Sequence, residues 1–346
     1  MKNANPARKH TGAFYLTNAL LTAALFVVML VLINGKILNS YYTGIATLVC
    51  INIILAVSLN LVTGILGQLV LGHAGFMLVG AYASALFTRN MEMSLQISFP
   101  ISLLLAGVLA AVFGVVIGIP ALRLKGDYLA IITLGFGEII RVLAANAEFL
   151  TGITNGAMGL TVPTLANRRT NPAGMFIYAF LIMALVIFIN FAFGRSRHGR
   201  AVIAIREDEI AAETMGINTT YYKLFAFVMA AFIAGVAGGI YAHHVQLIDP
   251  SKFDFNYSVE ILIMVVLGGM GSITGSVISA TVLTILPEAL RGFADYRMLL
   301  YSVVLIVVML FRPTGLLGRY EISVPGLFVK AKNKLAQGRR NKTGEA

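Results

Sequence analysis

The chain has 346 residues, 58% of them hydrophobic and 12% charged, with a mean hydropathy of +0.85 and a formal charge of +11. A soluble domain carries roughly 25% charged residues, so a water-soluble enzyme, a disordered chain and a collagen-like chain are excluded. A polytopic all-α membrane protein is left. The single cysteine, Cys50, excludes a disulfide framework and any multi-cysteine metal site.

Ten membrane segments are expected in chain order: 14–34, 42–62, 66–87, 99–119, 128–147, 174–194, 221–242, 257–269, 275–290 and 296–312. The first follows Lys2, Arg8 and Lys9, but its apolar run is too long for a signal peptide and no small-residue cleavage site follows Asn34, so it stays as an anchor. With both termini in the cytoplasm, 18 Lys and Arg fall inside and 7 outside, the asymmetry that orients membrane proteins. The cytoplasmic parts are then the tails 1–13 and 313–346 and the loop 195–220, and residues 1–346 read as one transmembrane domain. The basic residues cluster at the termini and in two short loops, which argues for this topology and against nucleic acid as a partner.

Two stretches interrupt the apolar texture. They are Gly64-Ile-Leu-Gly-Gln-Leu-Val-Leu-Gly-His-Ala-Gly75 and Gly268-Gly-Met-Gly-Ser-Ile-Thr-Gly275. Interrupted apolar segments in two halves of a transporter predict an inverted repeat with the site between the halves, and 257–290 reads as broken helices. Glycine also serves tight helix packing, the role expected for the pairs Gly114/Gly118 and Gly235/Gly239. The second stretch is not a phosphate loop, because no Lys follows Gly275.

Charges inside spans are costly, about 2.5–3.5 kcal/mol each on insertion scales, and need partners or a watered cavity. Glu138 and Arg141 stand at i and i+3 on one helix face, in the favourable order. They read either as a structural pair or as a place on a transport path. His73, in the first Gly-rich stretch, reads as a hydrogen-bonded packing residue or a ligand. His243 and His244 have no carboxylate or Cys at ligand spacing, so no metal is expected. There is no G-x-S-x-G, H-E-x-x-H or shared carboxylate cleft, so no catalytic residue and no cofactor are expected.

The longest cytoplasmic loop has no Pro or Gly from Arg200 to Met215, which predicts one helix of about four turns stopped at Gly216. Glu207, Asp208, Glu209 and Glu213 adjoin the apolar Ile210, Ala211, Ala212 and Met215. Such a helix fits a groove on another protein or the membrane surface.

This Ala-Ile-Arg206-Glu-Asp-Glu-Ile-Ala-Ala-Glu-Thr-Met-Gly216-Ile-Asn stretch resembles the coupling loop of the permease subunits of branched-chain amino acid ABC importers, and most resembles the longer of their two paired permeases. The resemblance runs through most of the chain. Gly67-Gln-Leu-Val-Leu-Gly-His-Ala-Gly-Phe76 is similar to the family's G-x-x-S-L-G-H-A-x-F, with Val70 where Ser is common. Ala130-Ile-Ile-Thr-Leu-Gly-Phe-Gly-Glu-Ile139, Val266-Leu-Gly-Gly-Met-Gly-Ser-Ile-Thr-Gly275 and Arg312-Pro-Thr-Gly-Leu-Leu-Gly318 also match. Thr151-Gly-Ile-Thr-Asn-Gly156 matches except at Ile153.

The resemblance implies a bacterial inner-membrane importer with a fold similar to type II ABC importers. Its implied partners are a second permease, two cytoplasmic ATPase subunits, an extracytoplasmic solute-binding protein and membrane lipid. ATP hydrolysis would belong to the partner subunits. Arg206, Glu207, Asp208, Glu209, Ala211, Ala212, Glu213 and Gly216 would couple to the ATPases. A zwitterionic solute needs backbone polar groups and an apolar wall, which places the path beside Gln68, Gly72, His73 and Gly75 and beside Gly269, Gly271 and Gly275. The alternatives are the same family importing urea or short amides, or an ion-coupled secondary transporter.

Overall fold

Backbone groups in an apolar layer must bond to one another, and long apolar runs do this as helices. The structure, a computed structural model, describes residues 39–91, 94–124, 126–146, 155–163 and 173–293, with scattered positions outside these stretches. Two compact units result, Asn39–Arg319 and a second formed by Met1–Leu38 with Tyr320–Ala346. Of the second, a helical run at 26–33 is described. Most of the expected spans 14–34 and 296–312 lies outside the described residues.

The main unit runs α1 (Ser40–Asn60, continued by a π-helix Leu61–Leu66), α2 (His73–Asn90), α3 (Leu95–Ala121), α4 (Asp127–Asn146), α5 (Ala173–Arg195), α6 (Arg197–Glu207), α7 (Glu209–Thr214), α8 (Thr219–Val245), α9 (Phe255–Gly268) and α10 (Ile273–Ala289). Among the described residues six helices are long and apolar enough to cross a membrane: α1 with its π-turn, α3, α4, α5, α8 and α10 with its short extension. The 14 residues of α9 rise only about 21 Å, short of a hydrocarbon core of roughly 30 Å.

Helix α8 is the centre of the packing, against α2 and α3, while α1 packs on α10, α5 and α8. Small residues allow the α3–α8 approach. A Cβ on Gly235 would run into Ala106 and Ala110, and one on Gly114 would stand 2.8 Å from the Ala231 Cβ. The residues lying deepest include Ile51, Ile54, Leu55 and Leu59 of α1, Met77 and Leu78 of α2, and Phe227 of α8. Helix α4 is the opposite case. Only 22% of its apolar window is buried, and Tyr128, Ile131, Ile139, Val142 and Leu143 face outward.

The two halves match differently from the sequence expectation. α1 with its π-turn and α8 both span 27 residues. Each is followed by a segment without α-helix, 67–72 or 246–254, and then by an α-helix that starts beside its counterpart: the Ala74 amide donates to Ser258 Oγ at 3.1 Å. The two long helices run in opposite directions, since α1 ends beside α6, at Arg206, and α8 begins beside α7, where Lys223 meets Glu209. The counterpart of the Gly64–Gly75 stretch is therefore 246–254, where Gly is absent, rather than Gly268–Gly275. A two-stranded antiparallel pair, Leu160–Thr161 with Leu247–Ile248, ties the second of these segments to the loop after α4.

Candidate functional site

Three features converge at the end of the bundle that carries α6 and α7. The first is the end of α1. Its last turn widens to a π-helix, and the chain leaves helical geometry at Gly67, whose φ is 79°. The last carbonyls of such a helix lose their helical donors. The Gly64 carbonyl is met instead by Arg206 Nη1 at 2.6 Å. The second is the break between α9 and α10, where Gly269 and Gly271 have φ of 108° and 90°. Only glycine takes such angles without strain. The Gly271 amide donates to Asn60 Oδ1 at 2.8 Å, and a side chain on Gly64 would collide with both Asn60 and that amide. Leu316, in the Arg312–Gly318 motif, donates its amide to the Leu267 carbonyl at 2.7 Å and so backs this break from the other side.

The third feature is the loop. Two helices stand where the sequence predicts one. Asp208 is extended, with φ −157° and ψ 110°, and its carboxylate accepts from the Ile210 and Ala211 amides at 2.9 and 3.0 Å. This local cap outcompetes helix continuity, as aspartate does where its side chain reaches the following amides. Gly216 ends the second helix at φ 82°. The Lys223–Glu209 ion pair, at 2.6 Å, straps α7 to the start of α8. Of the eight loop residues singled out above, Ala212 is turned inward and buried, and Arg206 reaches into the bundle. Glu207, Asp208, Ala211, Glu213 and Gly216 are exposed, with Ile210 and Met215 beside them.

Higher in the bundle, α2 begins against α4. A Cβ on Gly72 would strike the Thr133 carbonyl, and one on Gly75 would come 2.8 Å from the Gly137 Cα. The Leu71 amide donates to Thr133 Oγ1 at 3.2 Å. His73 Nε2 lies 2.7 Å from Ser58 Oγ, both buried, which puts the start of α2 about two turns back along α1 from its π-turn end. A cavity of about 10 Å3, room for one water, lies between this start and that of α9, lined by Ala74, Gly75, Gly137, Glu138, Asp254 and Ser258. Glu138 Oε2 accepts from Arg141 Nε at 2.7 Å, with each side chain about 30% exposed.

The candidate path residues thus fall into two groups. Gly72, His73 and Gly75 sit at the cavity level, and Gln68, Gly269, Gly271 and Gly275 near the Arg206 end. Gln68 Oε1 and Asn60 Nδ2 are buried there without a hydrogen-bond partner. Asn60, Ser58, Thr133 and Ser258 were not singled out from the sequence. The one available signal was a polar side chain in an apolar run, which Asn60 and Ser58 share with many packing residues. Among the described residues no three His, Cys, Asp or Glu gather as a metal site.

Comparison with known proteins decides what kind of molecule carries these features. Residues 41–311 match the model of the branched-chain amino acid transport system permease component family. The chain belongs to this permease family. It is 38% identical over 297 residues to the high-affinity branched-chain amino acid transport system permease protein LivM of Salmonella typhimurium, covering 79% of this chain and 69% of that one. Identity to LivM of Escherichia coli K12 is also 38%, over 318 residues, 85% of this chain and 73% of that one. LivH of Salmonella typhimurium is 28% identical over 315 residues, 84% of this chain and 95% of that one. A solved complex, PsaBC from Streptococcus pneumoniae with Fab, aligns at a TM-score of 0.44 and 13% identity over 81% of this chain and 95% of that chain, a level of likeness that says nothing of function. The permease is a multi-pass all-α membrane protein and not an enzyme.

Proposed function

We propose that this permease is one of two different membrane subunits of an ATP-driven importer that carries branched-chain or other hydrophobic amino acids across the bacterial inner membrane. Both termini, with tails 1–13 and 313–346, and the loop 195–220 lie in the cytoplasm, and residues 1–346 act as one transmembrane domain. Of the two ATPase subunits, one docks on the exposed side of α6 and α7, through Glu207, Asp208, Ile210, Ala211, Glu213 and Met215, and the other on the second permease. A second permease packs alongside in the lipid, and a binding protein delivers solute from the opposite face. The observation that carries this reading is that the loop reaches the end of α1 through Arg206, and that Asn60 of α1 in turn holds the α9–α10 break, in a chain similar to LivM over most of its length. A push on the loop is then a push on a part of the fold where helical hydrogen bonding is interrupted.

The solute passes the cavity at the α2 and α9 starts and leaves past Gln68, Gly269, Gly271 and Gly275. With α2 seated on α4 through Gly72 and Gly75, this route opens when the α2–α4 seam parts. When the seam parts, the α2 amides now held by Thr133 and Ser258 become free to meet a solute carboxylate. An ion-coupled mechanism is disfavoured because Arg141 already holds the Glu138 carboxylate.

Proteoliposomes carrying the complete complex test the function. They should accumulate labelled leucine only with ATP on the loop side and with the binding protein on the other. Uptake that follows a proton or sodium gradient without ATP would overturn the reading. Exchanging Ile210 and Met215 together for Asp should cut copurification of the ATPases at least tenfold with the melting temperature unchanged.

A further inference from the structure

Arg206 belongs to the loop by sequence and to the bundle by contact. Its stem lies over Gly67, where an added Cβ would come 2.7 Å from Arg206 Cγ. Its Nη1 donates to the Gly64 carbonyl at 2.6 Å and stands 3.3 Å from where a Cβ on Gly271 would be. Its Nη2 is 3.6 Å from the exposed Glu207 carboxylate. One planar guanidinium thus bonds the end of α1, faces the space beside Gly271 at the break between α9 and α10, and reaches toward the outer surface of the loop. Between the two breaks the Gly271 amide donates to Asn60 Oδ1, whose Nδ2 is buried and without a partner.

We infer that Arg206 is a positioning residue: a pin through which the loop helices hold the end of α1 against the α9–α10 break and keep this end of the bundle shut. The chemistry suits the task. Guanidinium carries several donors in a rigid fork and is always charged, so it satisfies an orphaned carbonyl and lies flat on glycine backbone at the same time, which an ammonium on a flexible stem does not. Gly64, Gly67 and Gly271 have no side chains to bar its approach. A small shift of α6 withdraws the donor from Gly64 and removes the loop's hold on the two breaks, which then depend more on the Asn60–Gly271 bond. The inference rests on the proposed importer function for its purpose, and on the contacts alone for its geometry.

Hydrogen–deuterium exchange tests the pin in the permease alone, in lipid nanodiscs. In R206A, the amides of residues 60–72 and 268–275 should exchange at least fivefold faster than in the wild type, with α3 and α5 unchanged. R206K, which keeps a charged donor group but not the rigid fork, should fall between. In the complete importer, nucleotide trapping should raise exchange in these segments of the wild type and add little in R206A. There leucine uptake should fall at least tenfold while ATP hydrolysis stays within about twofold. Should R206A fail to fold, R206K carries the same comparison, since a purely space-filling role predicts wild-type exchange for it. Wild-type exchange in both segments of R206A or of R206K would overturn the pin. A wild-type complex with no ATP-dependent uptake would remove the importer reading and leave the exchange result to judge the pin by itself.

Discussion

The chain turns back into the bundle twice, at 67–72 and at 246–254, and the helices that follow are capped in different ways. Helix α9 carries its own cap: Asp254 accepts from the Tyr257 amide at 3.0 Å. The turn before it is also locally held, with Asp249 accepting from the Ser251 amide at 2.9 Å; the Ser251 hydroxyl first, and this amide after it, draw the Asp249 carboxyl below its ordinary range. Helix α2 begins at Gly72 with no side-chain cap of its own. Its first amides are met from other helices, Leu71 by Thr133 of α4 and Ala74 by Ser258 of α9. The start of α9 is therefore fixed by its own sequence, whereas the start of α2 holds only while α4 and α9 stay in place. In a molecule that must open and close, the second arrangement is the one that can respond to its neighbours.

The largest effect should come from closing the space at the α2–α4 seam. In Gly72→Ala the new methyl meets the Thr133 backbone, which cannot rotate away. Overpacking of this kind costs about 1–3 kcal/mol or more. A clear fall in the melting temperature is expected, with leucine uptake lost. An unaltered melting temperature would mean that the seam is loose and that α2 does not depend on α4.

Next is the ion pair whose Glu138 lines the cavity. Glu138→Ala and Arg141→Ala each strand one charge on a membrane helix, and both should lower folded yield. The double variant should recover part of the loss, with a coupling of about 0.5–3 kcal/mol in a thermal cycle. Strict additivity would show that the two side chains act separately.

The smallest effect contrasts the two caps directly. Asp254→Ala and Ser258→Ala should each cost about 1 kcal/mol. Their exchange signatures should differ: Asp254→Ala loosens the first turn of α9 alone, and Ser258→Ala loosens the first turn of α2, far away in sequence. Loosening confined to α9 in both variants would erase the distinction.

The sequence made the long helices plain and the turns obscure. Segments 128–147 and 174–194 match α4 and α5 within a residue, because long apolar runs bounded by polar residues have one reading. The expected span 66–87 is really a helix from His73 to Asn90. Ile65, Leu66, Leu69, Val70 and Leu71 prolong the apolar run, and hydropathy does not separate extended backbone from helix. The turn at 246–254 reads as an ordinary loop, since Asp249, Pro250 and Asp254 are common loop residues. Glycine marked the α9–α10 break correctly, because there the backbone needs positive φ. At Gly72 and Gly75 glycine meant close packing instead, and the residue type alone does not tell these uses apart. The Glu138–Arg141 pair was legible because its partners are three residues apart. Asn60 with Gly271 and Ala74 with Ser258 were not, because nothing in one sequence joins residues about 200 positions apart.

Thiol accessibility at two depths tests most directly whether the two levels open in turn. In a Cys50→Ala background, single cysteines at Leu134, on the cavity wall, and at Gln68, near the Arg206 end, would be labelled with a water-soluble maleimide in the assembled importer. The predicted result is that trapping ATP changes the two labelling rates in opposite directions, each by at least fivefold, as one level opens and the other shuts. Equal rates at both positions in every nucleotide state, with transport intact, would contradict it and place the solute path elsewhere.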